Sequence, residues 1–136
     1  MVILKLSMQE SNNQKFNHLK IHTQYSICEG AIKIDELKDF CKKNKITSVG
    51  LSDTSNLCGS LEFSENISKA GTQPIIGTQI NFTFEGNVGL LPLIAINENG
   101  YKRILDLSSK SYLLNKSSTD PNLDLSELLM NNEGII

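Results

Sequence analysis

Hydrophobic and polar residues alternate with a period of two near the amino end of the chain, in the stretch NHLKIHTQYS at residues 17–26. Leu19 and Ile21 fall on one face of an extended chain, and three polar residues fall on the other. This pattern predicts a first strand over residues 16–23. A polar row at the end of a strand either forms one wall of a metal or phosphate site or consists of ordinary surface side chains. The residues of this row are His18, Lys20 and His22.

Four later segments carry the signals of helices. Asp35 and Asn97 are short polar residues that can cap the first and third of these helices, and Gly71 can close the second. The first predicted helix also has an apolar stripe at the spacing i, i+3, i+4. This stripe consists of Leu37, Phe40 and Cys41. The predicted helices cover residues 36–43, 57–70, 98–114 and 125–130.

Three further apolar segments are typical of strands, and Gly86-Asn87 is a hairpin-type turn between the last two. The predicted strands cover residues 46–52, 74–84 and 88–96, and Ile135-Ile136 begins another. Strands and helices alternate along the chain, which favours parallel β-α units and an α/β fold. In such folds functional groups gather where the strands end. The candidates at these positions are His22, Asp53 and Gln79.

The composition limits the class of protein. A chain of 136 residues, of which 39% are hydrophobic and 21% charged, is typical of one globular domain. A formal charge of −2 disfavours a chain whose main task is to grip a nucleic-acid backbone. The three cysteines form no C-x-x-C pair, so a reduced, cytoplasmic compartment is expected. No apolar run reaches the length that spans a membrane. Residues 1–15 are interpreted as a loose leader.

Five stretches, in order along the chain, resemble the motifs of one family. They are HLKIHTQYSICEGAIKI, LSDTSNLCGSLEF, AGTQPIIGTQINF, LIAINENGYKRILDLSS and SELLMNNEGII. Together they resemble the polymerase and histidinol phosphatase (PHP) domain, and more narrowly the one at the amino terminus of the bacterial replicative DNA polymerase III alpha subunit. One such motif is a weak signal, but five in series are specific.

The resemblance implies a distorted (β/α)7 barrel, with mostly parallel strands and one hairpin. That barrel is normally longer than this chain. We therefore expect residues 16–136 to form the N-terminal part of a PHP domain, truncated at its C-terminal end. Half of a barrel exposes an unpaired sheet edge, so we expect lower stability than in an intact domain, or pairing with a second copy.

The resemblance also locates a metal site that this sequence alters. Active members bind two or three metal ions through histidines and carboxylates. Three usual ligand positions are held here by Lys20, Thr54 and Gln79, while His22, Asp53 and Glu29 keep ligand chemistry. The vestigial site positions are His18, Lys20, His22, Glu29, Asp53, Thr54 and Gln79.

Those three residues are poor metal ligands. An ammonium has no lone pair, a hydroxyl is a weaker donor than an imidazole, and an amide lacks the charge that balances a divalent ion. We therefore expect no metal, no other cofactor and no catalytic residue in this segment. We further expect the Lys20 ammonium to pair with Asp53 or Glu29, as an internal counter-charge in place of the metal.

Three functions remain open. The resemblance implies a non-catalytic module of a DNA-directed DNA polymerase, a nucleotidyltransferase. The module would brace the rest of the alpha subunit and dock the proofreading exonuclease subunit. We expect DNA to be bound through the parent protein, and we expect no membrane partner. The alternative is a metal-dependent phosphoesterase, a 3′–5′ exonuclease or a pyrophosphatase using zinc or manganese. An unrelated small α/β binding domain is the third possibility.

Overall fold

The computed structural model describes residues 16–114 and 120–136. The predicted leader, residues 1–15, lies outside this range. The described residues form a mixed α/β arrangement, whose elements follow in chain order. They are α1 (Ile34–Asn44), β1 (Ser48–Gly50), β2 (Asp53–Thr54), α2 (Ser60–Lys69), β3 (Gln73–Ile75), β4 (Gly77–Phe84), β5 (Asn87–Ile94), α3 (Glu98–Leu113), β6 (Asn122–Asp124) and α4 (Leu125–Met130).

The strands form two small sheets. In the first, β1 pairs in parallel with β3. In the second, β4 lies between β5, which is antiparallel to it, and the parallel strands β2 and β6. Strand β4 is therefore the element around which the second sheet is built. Mostly parallel strands with one hairpin are what the sequence predicts.

The predicted first strand, residues 16–23, is extended but makes only isolated bridges. Ile21 bridges in parallel to Leu51, next to β1. The pairing with the segment after β1 does not continue past this point, because the backbone N–H of Thr23 donates to the side chain of Asp53. Thr23 instead bridges in parallel to Ile32, within the following turn.

The predicted strand over residues 74–84 is two strands, β3 and β4, which belong to different sheets. Gly77 lies where the chain crosses from one sheet to the other. A Cβ atom at Gly77 would lie 2.5 Å from the carbonyl oxygen of Leu93 and 3.0 Å from that of Leu51. Only a residue without a side chain allows the three backbone segments to approach so closely.

The hairpin between β4 and β5 turns at Glu85-Gly86, one residue before the predicted Gly86-Asn87. Both turn residues have positive φ, 49° and 78°, as a two-residue hairpin turn of type I′ requires. Phe84 and Asn87 are opposite each other at the hairpin end. The predicted strand over residues 88–96 accordingly begins and ends earlier, at Asn87–Ile94.

The helices cover two separate apolar clusters. In the first cluster α1 and α2 pack on the first sheet, and in the second α3 packs on β4 and β6. The first cluster contains Ile34, Leu37, Cys41, Val49, Leu51, Phe63 and Ile67. The second contains Ile80, Phe82, Leu93, Ile104, Leu107 and Leu123. Within the described residues, no helix is both long and apolar enough to cross a membrane.

Two details of the first predicted helix are wrong. Its N-cap is Lys33 and not Asp35, because fully buried Ile34 is drawn into the helix and Asp35 falls in the first turn. Phe40, predicted to lie in the apolar stripe, is 55% exposed.

The second predicted helix begins at Ser60 and not at residue 57, since the backbone N–H of Cys58 donates to the side chain of Asn56 in a turn.

Candidate functional site

The Asp53 carboxylate is the centre of the candidate site. It lies on β2 and is fully buried. Its Oδ1 accepts hydrogen bonds from the Thr23 backbone N–H and the Ser26 hydroxyl, both at 2.6 Å, and its Oδ2 accepts one from the Thr23 hydroxyl at 2.7 Å. Three donors thus meet a buried negative charge that would be costly to leave unpaired.

A second group of polar side chains adjoins Asp53. The Thr54 hydroxyl donates to the carboxylate of Glu29 and accepts a 2.7 Å hydrogen bond from the Gln79 amide. Nδ1 of His22 lies 3.6 Å from Oε2 of Glu29 and 3.4 Å from the Ser26 hydroxyl. The turn after His22, strand β2 and strand β4 are therefore joined by one set of hydrogen bonds. We call this set the polar network; it consists of His22, Thr23, Ser26, Glu29, Asp53, Thr54 and Gln79.

Five of the seven positions predicted from the sequence thus lie in the polar network. The other two, His18 and Lys20, do not. His18 is exposed, and its ring packs edge-on against Phe16 with 4.7 Å between ring centroids. The remaining two members of the network, Thr23 and Ser26, are hydroxyl residues that the sequence pattern does not single out as site residues.

The predicted role of Lys20 is wrong. Its side chain is exposed, and among the described residues neither Asp53 nor Glu29 forms an ion pair with it. The physical reason is that Asp53 already receives three hydrogen bonds from neutral donors. Burying the Lys20 ammonium beside Asp53 would cost more hydration energy than it would gain from hydrogen bonds to the remaining lone pairs of the carboxylate. Hydroxyl and backbone N–H groups, and not a cation, occupy the space around the carboxylate.

The residues of the polar network do not fit a divalent metal cluster. Among the described residues, no group of three or more His, Cys, Asp or Glu side chains is placed to hold a metal ion. Thr54 and Gln79 are neutral, and both oxygens of Asp53 accept hydrogen bonds from protein donors. Two buried polar atoms have no hydrogen-bond partner within the described chain: the hydroxyl of Ser52 and Oε1 of Gln79, a residue that is only 2% exposed.

A neighbouring contact holds the turn at residues 24–29 against α2. The Tyr25 hydroxyl donates a 2.6 Å hydrogen bond to Oε2 of Glu62. This bond to a carboxylate raises the pKa of Tyr25, since ionising the phenol would lose the bond and place two negative charges together. Gly59 lies under the same ring, where a Cβ atom would come within 2.6 Å of the Tyr25 side chain.

The chain is similar to known proteins over most of its length. Residues 18–136 match the family model described as PHP domain. The chain is 35% identical over 137 residues to DNA polymerase III subunit alpha of Caulobacter vibrioides, covering 95% of this chain and 12% of that protein. It is 35% identical over 123 residues to that of Rickettsia felis (90% and 10% covered) and 34% identical over 137 residues to that of Borreliella burgdorferi (93% and 12%). The chain therefore spans about a tenth of the length of these relatives.

Two solved structures share the fold. One is a protein of Bifidobacterium adolescentis described as a candidate metal-dependent phosphoesterase, with a TM-score of 0.57 and 18% identity. The other is described as an amidohydrolase of Chromobacterium violaceum, with a TM-score of 0.58 and 14% identity. Each alignment covers 71% of this chain and 33% of the other. The fold seen here thus corresponds to about a third of each of these two chains. The match over residues 18–136 shows that this chain belongs to the PHP domain family.

Proposed function

We propose that this chain is part of the PHP domain of a bacterial replicative DNA polymerase of the polymerase III alpha type. In this proposal the segment is a metal-free scaffold for a DNA-directed DNA polymerase and does no chemistry itself. The relatives named DNA polymerase III subunit alpha support the parent protein, since they match 90–95% of this chain.

One observation carries the scaffold role: protein donors surround the buried Asp53 carboxylate. Where a metal would hold several chain segments together, the hydroxyls of Thr23 and Ser26 do so here. A hydrogen bond to a charged group typically contributes about 1.5–3 kcal/mol. Several such bonds are enough to hold the turn against β2 without any metal. The alternative of a metal-dependent phosphoesterase has no matching donor set among the described residues.

Metal retention tests the scaffold role. The chain is incubated with zinc or manganese, and excess ions are removed by gel filtration. Inductively coupled plasma mass spectrometry then measures the amount of metal retained per chain. We expect no more metal than in an Asp53→Asn variant treated in the same way. Stoichiometric zinc or manganese in the wild type that is lost in Asp53→Asn would overturn the metal-free scaffold and favour the phosphoesterase.

The proposal includes docking of the proofreading exonuclease subunit. A scaffold that needs no metal should hold this partner equally well in the presence of a chelator. We therefore expect the exonuclease subunit of the same organism to bind the chain in biolayer interferometry with an unchanged Kd when EDTA is added. Absence of binding, or its loss in EDTA, contradicts this role.

A further inference from the structure

A pocket of about 380 Å³ opens beside the polar network and shares Glu29 and Thr54 with it. Two tyrosine rings, Tyr25 and Tyr112, and the side chain of Asn81 also line it. Tyr112 is 43% exposed, so its ring is available to a ligand. Among the described residues that line the pocket there is no lysine, arginine or histidine. The pocket therefore carries negative charge and aromatic surface together.

Several hydrogen-bond donors of the pocket are already used inside the protein. The Tyr25 hydroxyl donates to Glu62. The amide N–H₂ of Asn56 donates to two backbone carbonyl groups, and that of Asn81 donates to the carbonyl of Pro121 at 3.5 Å. A phosphate or a carboxylate would meet the like charge of Glu29, and none of the described lining residues is basic.

Acceptors, in contrast, remain available. The Glu29 carboxylate receives the Thr54 hydroxyl on Oε2, and no described residue donates to its Oε1 or to the side-chain oxygen of Asn81. A surplus of acceptors beside a carboxylate selects a cation with several N–H groups.

A guanidinium meets these conditions better than other cations. It is planar, carries five N–H donors, pairs with carboxylates and stacks on aromatic rings. A metal ion is disfavoured because no set of three ligating side chains is present among the described residues. A lysine ammonium is a compact charge that makes less use of tyrosine rings and planar amides. We infer that this pocket binds the side chain of an arginine supplied by a partner protein.

This inference deepens the docking role proposed above and rests on it. The test uses N-acetyl-L-arginine amide, titrated into the ¹⁵N-labelled chain and followed by NMR chemical shifts. The two comparison ligands are the matching citrulline amide, which has the same shape without charge, and the lysine amide. We expect a Kd of about 1–10 mM for arginine, as suits a small ligand, and binding at least about tenfold weaker for both comparison ligands.

Variants place the ligand in the pocket. Glu29→Gln should weaken arginine binding about tenfold by removing the charge. Because Glu29 also belongs to the polar network, Tyr112→Ala serves as a second variant that leaves the network intact; we expect it to weaken binding about two- to fivefold. Glu133→Gln, at an exposed acid distant in sequence, should have no effect. Free L-arginine should bind no more tightly than the capped form, because the ligand is a protein side chain.

The inference is overturned if arginine does not shift pocket resonances, if citrulline or lysine binds equally well, or if Tyr112→Ala has no effect. Such a failure leaves the metal-retention result untouched, so it is distinguishable from failure of the scaffold proposal.

Discussion

The Ser26 hydroxyl donates a 2.6 Å hydrogen bond to Oδ1 of Asp53, 27 residues further along the chain. The same hydroxyl oxygen accepts a 3.1 Å hydrogen bond from the backbone N–H of Thr54. One small side chain therefore joins the turn after His22 to strand β2 at two points. The resemblance to the PHP domain predicts metal ligands near this place, and here neutral hydroxyls make the connection.

Replacing this hydroxyl should lower stability. In Ser26→Ala, the Asp53 carboxylate loses one donor and the Thr54 N–H loses its acceptor, and both groups are buried or half-buried. We expect the free energy of unfolding in urea to fall by about 1–3 kcal/mol. Ser109→Ala is the matched control, because that exposed hydroxyl bonds only within its own helix; it should stay within about 0.5 kcal/mol of the wild type. Equal effects of the two substitutions would contradict the role of Ser26.

The contact between Gly100 and Gly134 provides a second test. A Cβ atom at Gly100 would lie 1.8 Å from the carbonyl oxygen of Gly134, which accepts a hydrogen bond from Ile96. Alanine is favoured over glycine in a helix by about 1 kcal/mol, but this clash is with backbone and should prevail. We expect Gly100→Ala to lower the midpoint of thermal unfolding.

Gly89 serves as its control. This residue lies in β5, its φ is not positive, and no atom lies within 4 Å of the position that a Cβ atom would take. Gly89→Ala should therefore leave the thermal midpoint unchanged or raise it slightly. If Gly100→Ala is as stable as Gly89→Ala, the close approach of the two backbone segments is absent in solution.

The buried thiol of Cys41 should make stability depend on pH. Burial raises the pKa of Cys41. The unfolded thiol then loses its proton at lower pH than the folded thiol, so the unfolded state binds fewer protons and stability falls as the pH rises. We expect the free energy of unfolding to decline above about pH 8.5, with a shallower decline in Cys41→Ala. Urea titrations at several pH values measure this, and Cys58→Ala, at an exposed thiol, should follow the wild type.

The outer edge of β5 contains a proline where another strand could pair. Ile94 exchanges two backbone hydrogen bonds with Ile136 on this edge. The backbone N–H and C=O groups of successive residues in a strand point alternately to its two sides. The backbone nitrogen of Pro92, which carries no hydrogen, therefore faces the same side as that of Ile94. A proline on an edge strand hinders pairing with further strands. We expect Pro92→Val to increase self-association in sedimentation velocity.

Leu91→Val is the control for this substitution. The backbone of Leu91 faces β4, opposite Ile80, so the change adds no donor to the outer edge. Equal association of Pro92→Val and Leu91→Val would show that the edge is not what limits pairing. Among the described residues the end of this edge near Ile94 is paired with residues 134–136, and we expect Pro92 to restrict the use of the rest.

Short-range signals predict the helices well. Helix α4 has the predicted bounds, Leu125–Met130, and the Asn97 side chain caps α3 by accepting from the Gly100 N–H. Capping chemistry acts over three or four residues, so the sequence alone reveals the cap of α3; the cap of α1 is misplaced because burial of Ile34 extends that helix. Strand β6 is absent from the sequence prediction because it has only three residues, of which Leu123 alone is buried.

Features that depend on distant segments are predicted less well. The break between β3 and β4 depends on Leu51 and Leu93 approaching Gly77, which no local pattern records. In the site, family motifs correctly bring together Asp53 and Gln79. The motifs give no indication that the Ser26 hydroxyl donates to the Asp53 carboxylate. The sequence therefore suggests that the Lys20 ammonium balances this carboxylate, whereas neutral donors do so in the structure.

Leu51 belongs to the first apolar cluster, and Asp53 and Thr54, just after it, pair with β4, which carries part of the second. The polar network therefore lies where the chain passes from one cluster to the other. Each cluster has its own helices and its own sheet, so either can hold together while the other opens. We therefore expect the hydroxyls around Asp53 to contribute to whether the described residues unfold as one cooperative unit or as two. Amide hydrogen exchange would register the difference, as protection factors that are shared across both halves or that separate between them.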